Sequence, residues 1–217
     1  MALAQSVRTF SRYVVSVVFA VLHGEAVQAA LRKMVSDDYK RLVAMYVEFE
    51  PKGEYQGLPP RTESQIRRWL TQIRERGFDQ FVVAVGDRIV GHAMLCPSQR
   101  RTEAELAIFI HQDYRNLGLG SRLLLGVLNY GCKKLTLDRV WLFVSGSNPV
   151  ALHLFEDVGF RPGEGGDPLA WEIEMERPSH CVKCKGDKCE VFGSSLPVTV
   201  TVRRTKRLTA SSGAYPR

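Results

Sequence analysis

Residues 103–122, Glu-Ala-Glu-Leu-Ala-Ile-Phe-Ile-His-Gln-Asp-Tyr-Arg-Asn-Leu-Gly-Leu-Gly-Ser-Arg, constrain this chain more than any other stretch. Glu103 to Ile110 alternates and grows rich in β-formers toward its end, the pattern of a strand. Tyr114 to Gly118 has no apolar period, and Gly118 and Gly120 supply the backbone freedom of a tight turn. From Leu119 the period becomes helical, with Leu119, Leu123 and Val127 on one face and Leu124 and Leu128 beside them. A strand that runs through a glycine loop into a helix N-terminus makes an anion site. The N–H groups of the first helical turn have no partner in the helix, and the helix dipole favours negative charge there. Each charge-assisted hydrogen bond contributes roughly 1.5–3 kcal/mol, so three or four hold a pyrophosphate without a lysine.

The spacing narrows the choice. It is not the dinucleotide fingerprint G-x-G-x-x-G, because position 123 is Leu, and no Gly-Lys-Ser/Thr follows to make a P-loop. A second patterned stretch lies downstream. Trp141-Leu-Phe-Val is a β-run, Ser145-Gly-Ser-Asn148-Pro149 is a break, and Val150 to Val158 is helical. Asn148 suits an N-cap, Pro149 the first helical position, and Gly159 a closing left-handed residue. Arg115-Asn116-Leu117-Gly118-Leu119-Gly120 resembles the Gln/Arg-x-x-Gly-x-Gly/Ala signature of the GNAT superfamily of acyl-CoA-dependent N-acyltransferases. The run Asn148-x-x-Ala151-x-x-Leu154-Phe155-x-x-x-Gly159-Phe160 is similar to that family's second motif, Asn-x-x-Ala-x-x-Leu-Tyr-x-x-x-Gly-Phe. Two motifs in the right order are far more specific than either alone, and the resemblance covers roughly residues 30–176.

The resemblance implies an α/β (α+β) fold with a mixed, mostly antiparallel central sheet, a splayed parallel strand pair, and helices on both faces. It implies acetyl-CoA as cosubstrate and a primary amine as acceptor, joined by direct transfer in a ternary complex, so the expected activity is that of an acyltransferase. In that fold the strands at 103–111 and 140–145 part, and the pantetheine arm pairs with the backbone of the first. Carried over by position, Ile108, Phe109 and Ile110 supply that edge. Arg115, Asn116, Leu117, Gly118, Leu119, Gly120 and Ser121 hold the pyrophosphate, and Asn148 contacts the cosubstrate near its thioester. The oxyanion would take a backbone N–H of the strand edge.

An amine with a pKa near 10.4 costs about 4–5 kcal/mol to neutralise at pH 7, and a carboxylate nearby makes that proton loss productive. Glu103 and Glu105 share strand parity just before the cosubstrate edge. Glu105 is the expected base and Glu103 its alternative, unless both pair with Arg100 or Arg101. His111 and His153 are weaker candidates, each explained as well by a structural role. One departure matters: the tyrosine that protonates the leaving thiolate in the family aligns with Phe155. Water, Tyr130, Tyr114 or Ser145 are the available substitutes. Phe143 stands where some relatives that acetylate protein N-termini carry a glutamate. Glu50, Glu54 and Tyr55, with Trp171 opposite, are the expected acceptor contacts. The alternative to an enzyme is a non-catalytic acyl-CoA-binding module, which Phe155 keeps open.

The rest of the chain divides around this body. Of 217 residues, 45% are hydrophobic and 24% charged, ordinary values for a globular protein. Residues 177–217 hold nine Lys/Arg against two Asp/Glu, which is the whole net charge of +7. The basic pI of 9.3 therefore describes a tail. Such a tail can meet nucleic acid or anionic lipid, but solvation alone explains it. Its Cys181, Cys184 and Cys189 hold a C-x-x-C knuckle without a second pair, so no metal is expected. The apolar run Tyr13 to Leu22 is too short for a membrane-spanning helix. With its basic start and Val27-Gln28-Ala29 it also looks like a signal peptide, but a retained extension in a cytoplasmic protein, monomeric or homodimeric, fits acetyl-CoA better. The expected organisation is an extension at 1–28, the acetyltransferase domain at 29–176, and the tail at 177–217. Strands are expected at 31–35, 81–85, 89–95, 103–110, 140–144, from Phe160, and at 169–175. Helices are expected from Ser36 or Asp37 to Glu48, from Thr62 to Arg76, from Leu119 to Lys134, and from Pro149.

Overall fold

The computed structural model describes residues 14–22, 25–53, 58–99, 102–162 and 172–178. Eight strands in these segments form one sheet in the order β1-β2-β3-β4-β5-β6-β8-β7. They are β1 (Val14–Leu22), β2 (Glu25–Lys33), β3 (Asp79–Val85), β4 (Arg88–Pro97), β5 (Glu103–Ile110), β6 (Arg139–Ser145), β7 (Arg161–Pro162) and β8 (Glu172–Pro178). Every pairing is antiparallel except β5 with β6. That is the mixed architecture with one parallel pair that the sequence leads one to expect.

Four helices cover both faces. α1 (Tyr39–Glu48), which follows a 3-10 turn at Ser36–Asp38, and α2 (Glu63–Glu75) lie on one side. α3 (Leu119–Lys134) and α4 (Pro149–Val158) lie on the other. Strand alternation divides the core between them. Phe81, Val83, Leu95, Leu106 and Leu142 join Leu123, Leu124 and Phe155 in the larger cluster. Val82, Ala84, Met94 and Phe109 join Leu42, Tyr46, Ile66 and Leu70 in the smaller. Apolar residues on both faces of β3 and β4 are what a central strand needs when helices pack above and below it.

Local signals set the helix ends. Thr62 caps α2 in a capping box with Gln65, and the Asn148 side chain accepts from the Ala151 N–H (3.1 Å) at the start of α4. Gly159, at φ +103°, closes α4 in the left-handed region. The first expected strand differs: β2 begins at Glu25 rather than Leu31, because it is the return arm of a hairpin whose first arm is the apolar run Val14–Leu22. The last strand, described from Glu172, runs on to Pro178, past the expected end at 175. Trp171, Glu54, Tyr55, Arg100, Arg101 and the cysteine tail lie outside the described residues. Among the described residues no helix is long and apolar enough to cross a membrane.

Candidate active site

β5 and β6 stay in register for only three pairs, Glu103 with Arg139, Ala104 with Val140, and Glu105 with Trp141. Beyond Glu105 they separate, and a cleft of about 110 Å³ opens between β5 on one side and β6 with α4 on the other. Its lining includes Glu105, Ile108, Phe143, Ser145, Asn148 and Phe155.

The parting leaves backbone groups without a strand partner. Ser98 N–H donates to the Glu103 carbonyl (2.8 Å) and His111 N–H to the Val90 carbonyl (2.9 Å), so the odd residues of β5 face β4. By the alternation of a strand, Ile108 and Ile110 turn their N–H and C=O groups toward the gap, and Leu106, whose N–H closes the last parallel pair, turns its C=O there. Phe109 turns its own backbone groups toward β4, and its ring packs on Tyr46 (5.6 Å) and Phe49 (6.0 Å) in the smaller core.

The Ile110 carbonyl is already engaged, accepting from Arg115 Nε (3.0 Å), while Arg115 Nη2 donates to the Glu50 carbonyl (2.6 Å). The guanidinium also lies over the Phe49 ring, 5.3 Å from its centroid. Two of its five N–H donors therefore tie the end of β5 to the segment after α1. Gln112 makes a second tie: its Oε1 accepts from Glu50 N–H (2.9 Å) and its Nε2 donates to the Glu48 carbonyl (2.8 Å). Nothing in the sequence pointed to Gln112, because its partners lie more than sixty residues away.

The loop from Arg115 to Gly118 turns through two left-handed residues, Asn116 (φ +60°) and Gly118 (φ +72°). Asn and Gly are the types that enter this region at least cost. α3 then starts at Leu119, with Arg122 N–H donating to the Gly118 carbonyl (3.3 Å), so the N–H groups of Leu119, Gly120 and Ser121 precede the first intrahelical bond. Leu119 fixes the helix by burying its side chain in the larger core, where Leu117 also packs. A Cβ on Gly120 would meet Ile110 and Leu154 at 3.6 Å, an ordinary contact. The protein itself has room for alanine there; Gly118 is the residue whose backbone requires glycine.

Of the two expected carboxylates, Glu105 lines the cleft, half-buried, and burial pushes its carboxyl above the usual range. Glu103 is paired with Arg139 (3.2 Å) and is absent from the cleft lining. His111 is buried at the end of β5, where burial holds its pKa down, and its Nδ1 accepts weakly from Asp113 N–H (3.4 Å). His153 is exposed on α4, 3.5 Å from Asp157. Neither histidine lines the cleft.

Phe155 does, buried against Phe160 with ring centroids 5.7 Å apart. Among the residues weighed as substitutes for a tyrosine hydroxyl there, Tyr130 bonds to Asp79 and Lys33 on the far side of α3, and Tyr114 packs in the core beside His111. Ser145 alone of the three lines the cleft, its Oγ 2.8 Å from Ser147 Oγ. Phe143 is 39% exposed and packs edge-on to Trp141 (5.4 Å). At the mouth, Leu58 brings the loop after α1 to the cleft, and Glu50 is exposed with Lys52 at 3.8 Å. Among the described residues no cluster of His, Cys, Asp and Glu could hold a metal ion.

Comparison with known proteins agrees with this geometry. A family model described as an acetyltransferase (GNAT) domain matches residues 29–161, more than half of the chain. A GNAT-family acetyltransferase from Streptococcus pneumoniae superposes with a TM-score of 0.55 at 23% identity, covering 69% of this chain and 98% of that one. The GNAT domain of PAT from S. lividans gives 0.58 at 18% identity, covering 75% and 96%. A ribosomal-protein-alanine N-acetyltransferase from Brucella melitensis gives 0.55 at 19%, covering 68% and 98%. No curated protein matches the sequence. With the family model spanning the strand edge and the capped helix that line the cleft, and the glycine loop between them in sequence, the chain belongs to the GNAT acetyltransferase family.

Proposed function

We propose that this protein moves an acetyl group from acetyl-CoA directly to a primary amine within a ternary complex. The observation that carries the reading is the parting of β5 and β6 immediately after Glu105, which brings a half-buried carboxylate, an unpaired strand edge and the capped N-terminus of α4 to one cleft. Acetyl-CoA supplies the activated acyl group and a good leaving thiolate. The N–H groups of Asn116 to Ser121 suit its pyrophosphate. The gap-facing groups of Leu106 and Ile108 suit its pantetheine amides, and an N–H of the same edge suits the negative charge that develops on the thioester oxygen. Asn148, positioned by its cap on α4, stands at the thioester end.

Glu105 accepts the proton that the amine must lose. A carboxylate pushed upward by burial is a stronger base than one in water. With no hydroxyl on Phe155, the leaving thiolate departs unprotonated or takes a proton from water or Ser145. On this reading the protein works in the cytoplasm, where acetyl-CoA is made.

Phe155 favours a second reading, a module that binds acyl-CoA without turning it over. Calorimetric titration with acetyl-CoA, followed by thiol release across a panel of amines, separates the two. The enzyme binds acetyl-CoA and releases thiol only when an amine is present. A Gly120→Asp variant sets a carboxylate at the start of α3, where it favours the helix and repels the pyrophosphate, so it should keep its melting temperature and bind acetyl-CoA at least tenfold more weakly. Binding without turnover on any amine leaves the module, and no binding by the folded parent refutes both.

A further inference from the structure

A second cavity, about 250 Å³, opens away from the cleft where β2 and β3 meet the C-terminal half of α2. Met34, Leu70 and Phe78 make an apolar wall, and Arg74 and Gln80 bring polar groups to it. Both present donors. The Arg74 guanidinium rests over the Tyr39 ring, 5.5 Å from its centroid, and that ring is pinned by its hydroxyl to the Arg67 carbonyl (3.1 Å) and Thr71 Oγ1 (3.2 Å). Among the described residues no carboxylate pairs with Arg74. Lys33 also borders the cavity, but its Nζ bonds to Asp79 and Tyr130 on the α3 side of the sheet.

A buried chain decides which end of the Gln80 amide is free. Tyr46 is fully buried and keeps its proton, so its hydroxyl donates to His92 Nδ1 (2.8 Å). Burial lowers the His92 pKa to about 3, so the ring is neutral and carries its hydrogen on Nε2. That N–H donates to Gln80 Oε1 (3.2 Å). With its oxygen held inward, Gln80 offers its NH₂ as a donor, and no described residue accepts from it. The polar end of the cavity thus combines a guanidinium and an amide NH₂, with no carboxylate in its lining.

We propose that this cavity is a second ligand site, for a small organic anion whose carboxylate or phosphate sits on an apolar body. Arg74 and Gln80 hold the anionic head, and Leu70 and Phe78 pack the body. The volume lies below the usual range of roughly 300–1,000 Å³ for ligand pockets and suits a single ring or short chain rather than a nucleotide. The site is independent of the acetyl-transfer reading, because its test needs no turnover.

The test is calorimetric titration of the full chain with phenyl phosphate, alongside benzylamine as a cationic counterpart of similar shape. Amide NMR shifts locate the site. Phenyl phosphate should bind at one site, shift the amides of Phe78 and Gln80, and outcompete benzylamine. Arg74→Gln, an exposed substitution on α2 that should leave the melting temperature unchanged, should weaken binding about tenfold or more, as expected for losing a charge-assisted contact. Gly120→Asp, which acts on the anion site at α3, should leave it unaltered. The proposal falls if the parent does not bind phenyl phosphate, if benzylamine shifts the amides of Phe78 and Gln80 as well, if Arg74→Gln binds like the parent, or if Gly120→Asp removes the binding.

Discussion

Glu105 and Glu103 differ by two residues on one strand, yet only Glu105 reaches the cleft, because the parallel pairing ends there and Glu103 still has Arg139 beside it. Glu105→Gln should lower kcat by about 10²–10⁴-fold, whereas Glu103→Gln should act mainly on stability. Because burial raises the Glu105 carboxyl, the parent's rate should fall as pH drops through a value above the ordinary carboxylate range. A pH–rate profile should lose that limb in Glu105→Gln, and a limb that survives assigns the base elsewhere. His92 makes a separate prediction. Its folded pKa of about 3 lies below the ordinary 6.5, so its contribution to stability is present above pH 6.5 and is lost as pH falls from there toward 3. Urea denaturation at pH 7 and pH 4 should show a larger loss in the parent than in His92→Phe.

At the scale of elements, the turn into α3 separates two glycines that look equivalent in the sequence. Gly118 sits at φ +72°, where a Cβ costs about 1–2 kcal/mol. Gly120 lies within the helix with ordinary space around it, and alanine there should add about 0.5–1 kcal/mol of helix propensity. Gly118→Ala should therefore lower, and Gly120→Ala raise or preserve, the midpoint of urea unfolding; equal effects would contradict the turn geometry. This element was legible in sequence because its signals are local. The glycines, the cap at Asn148 and the capping box at Thr62 each act within four residues. What links the site to the rest of the molecule was not legible. Arg115 reaches the carbonyl of Glu50 across 65 positions, and Tyr46 reaches His92 across 46, so neither contact leaves a periodic trace. Arg115 read as a pyrophosphate ligand from its motif alone; the fold makes it a brace between β5 and the loop after α1.

Over the whole molecule, the cleft and the N-terminal hairpin lie at different parts of one sheet. β1 stands at the edge and hydrogen-bonds only to β2, with β3 and β4 between that hairpin and β5. The apolar run Val14–Leu22 carries no charge, so its composition alone suits a signal peptide, a buried helix or a strand, and only its pairing partner, Glu25–Lys33, distinguishes them. β2 is part of the central body: Ala29 and Leu31 are almost wholly buried in the larger core, and Ala29 to Lys33 pair with β3. A chain lacking residues 1–24 should therefore fold with β2 as its new edge. It should melt at a lower temperature, because that edge loses its partner, and bind acetyl-CoA within about twofold of the full chain, because every residue lining the cleft lies at or beyond Leu58. Circular dichroism melting and calorimetric titration of the shortened chain check both points. If removing residues 1–24 leaves the chain unfolded, the hairpin is part of the folding unit and the boundary near residue 28 has no physical meaning. If the chain folds but no longer binds acetyl-CoA, the sheet edge is coupled to the cleft through β3 and β4.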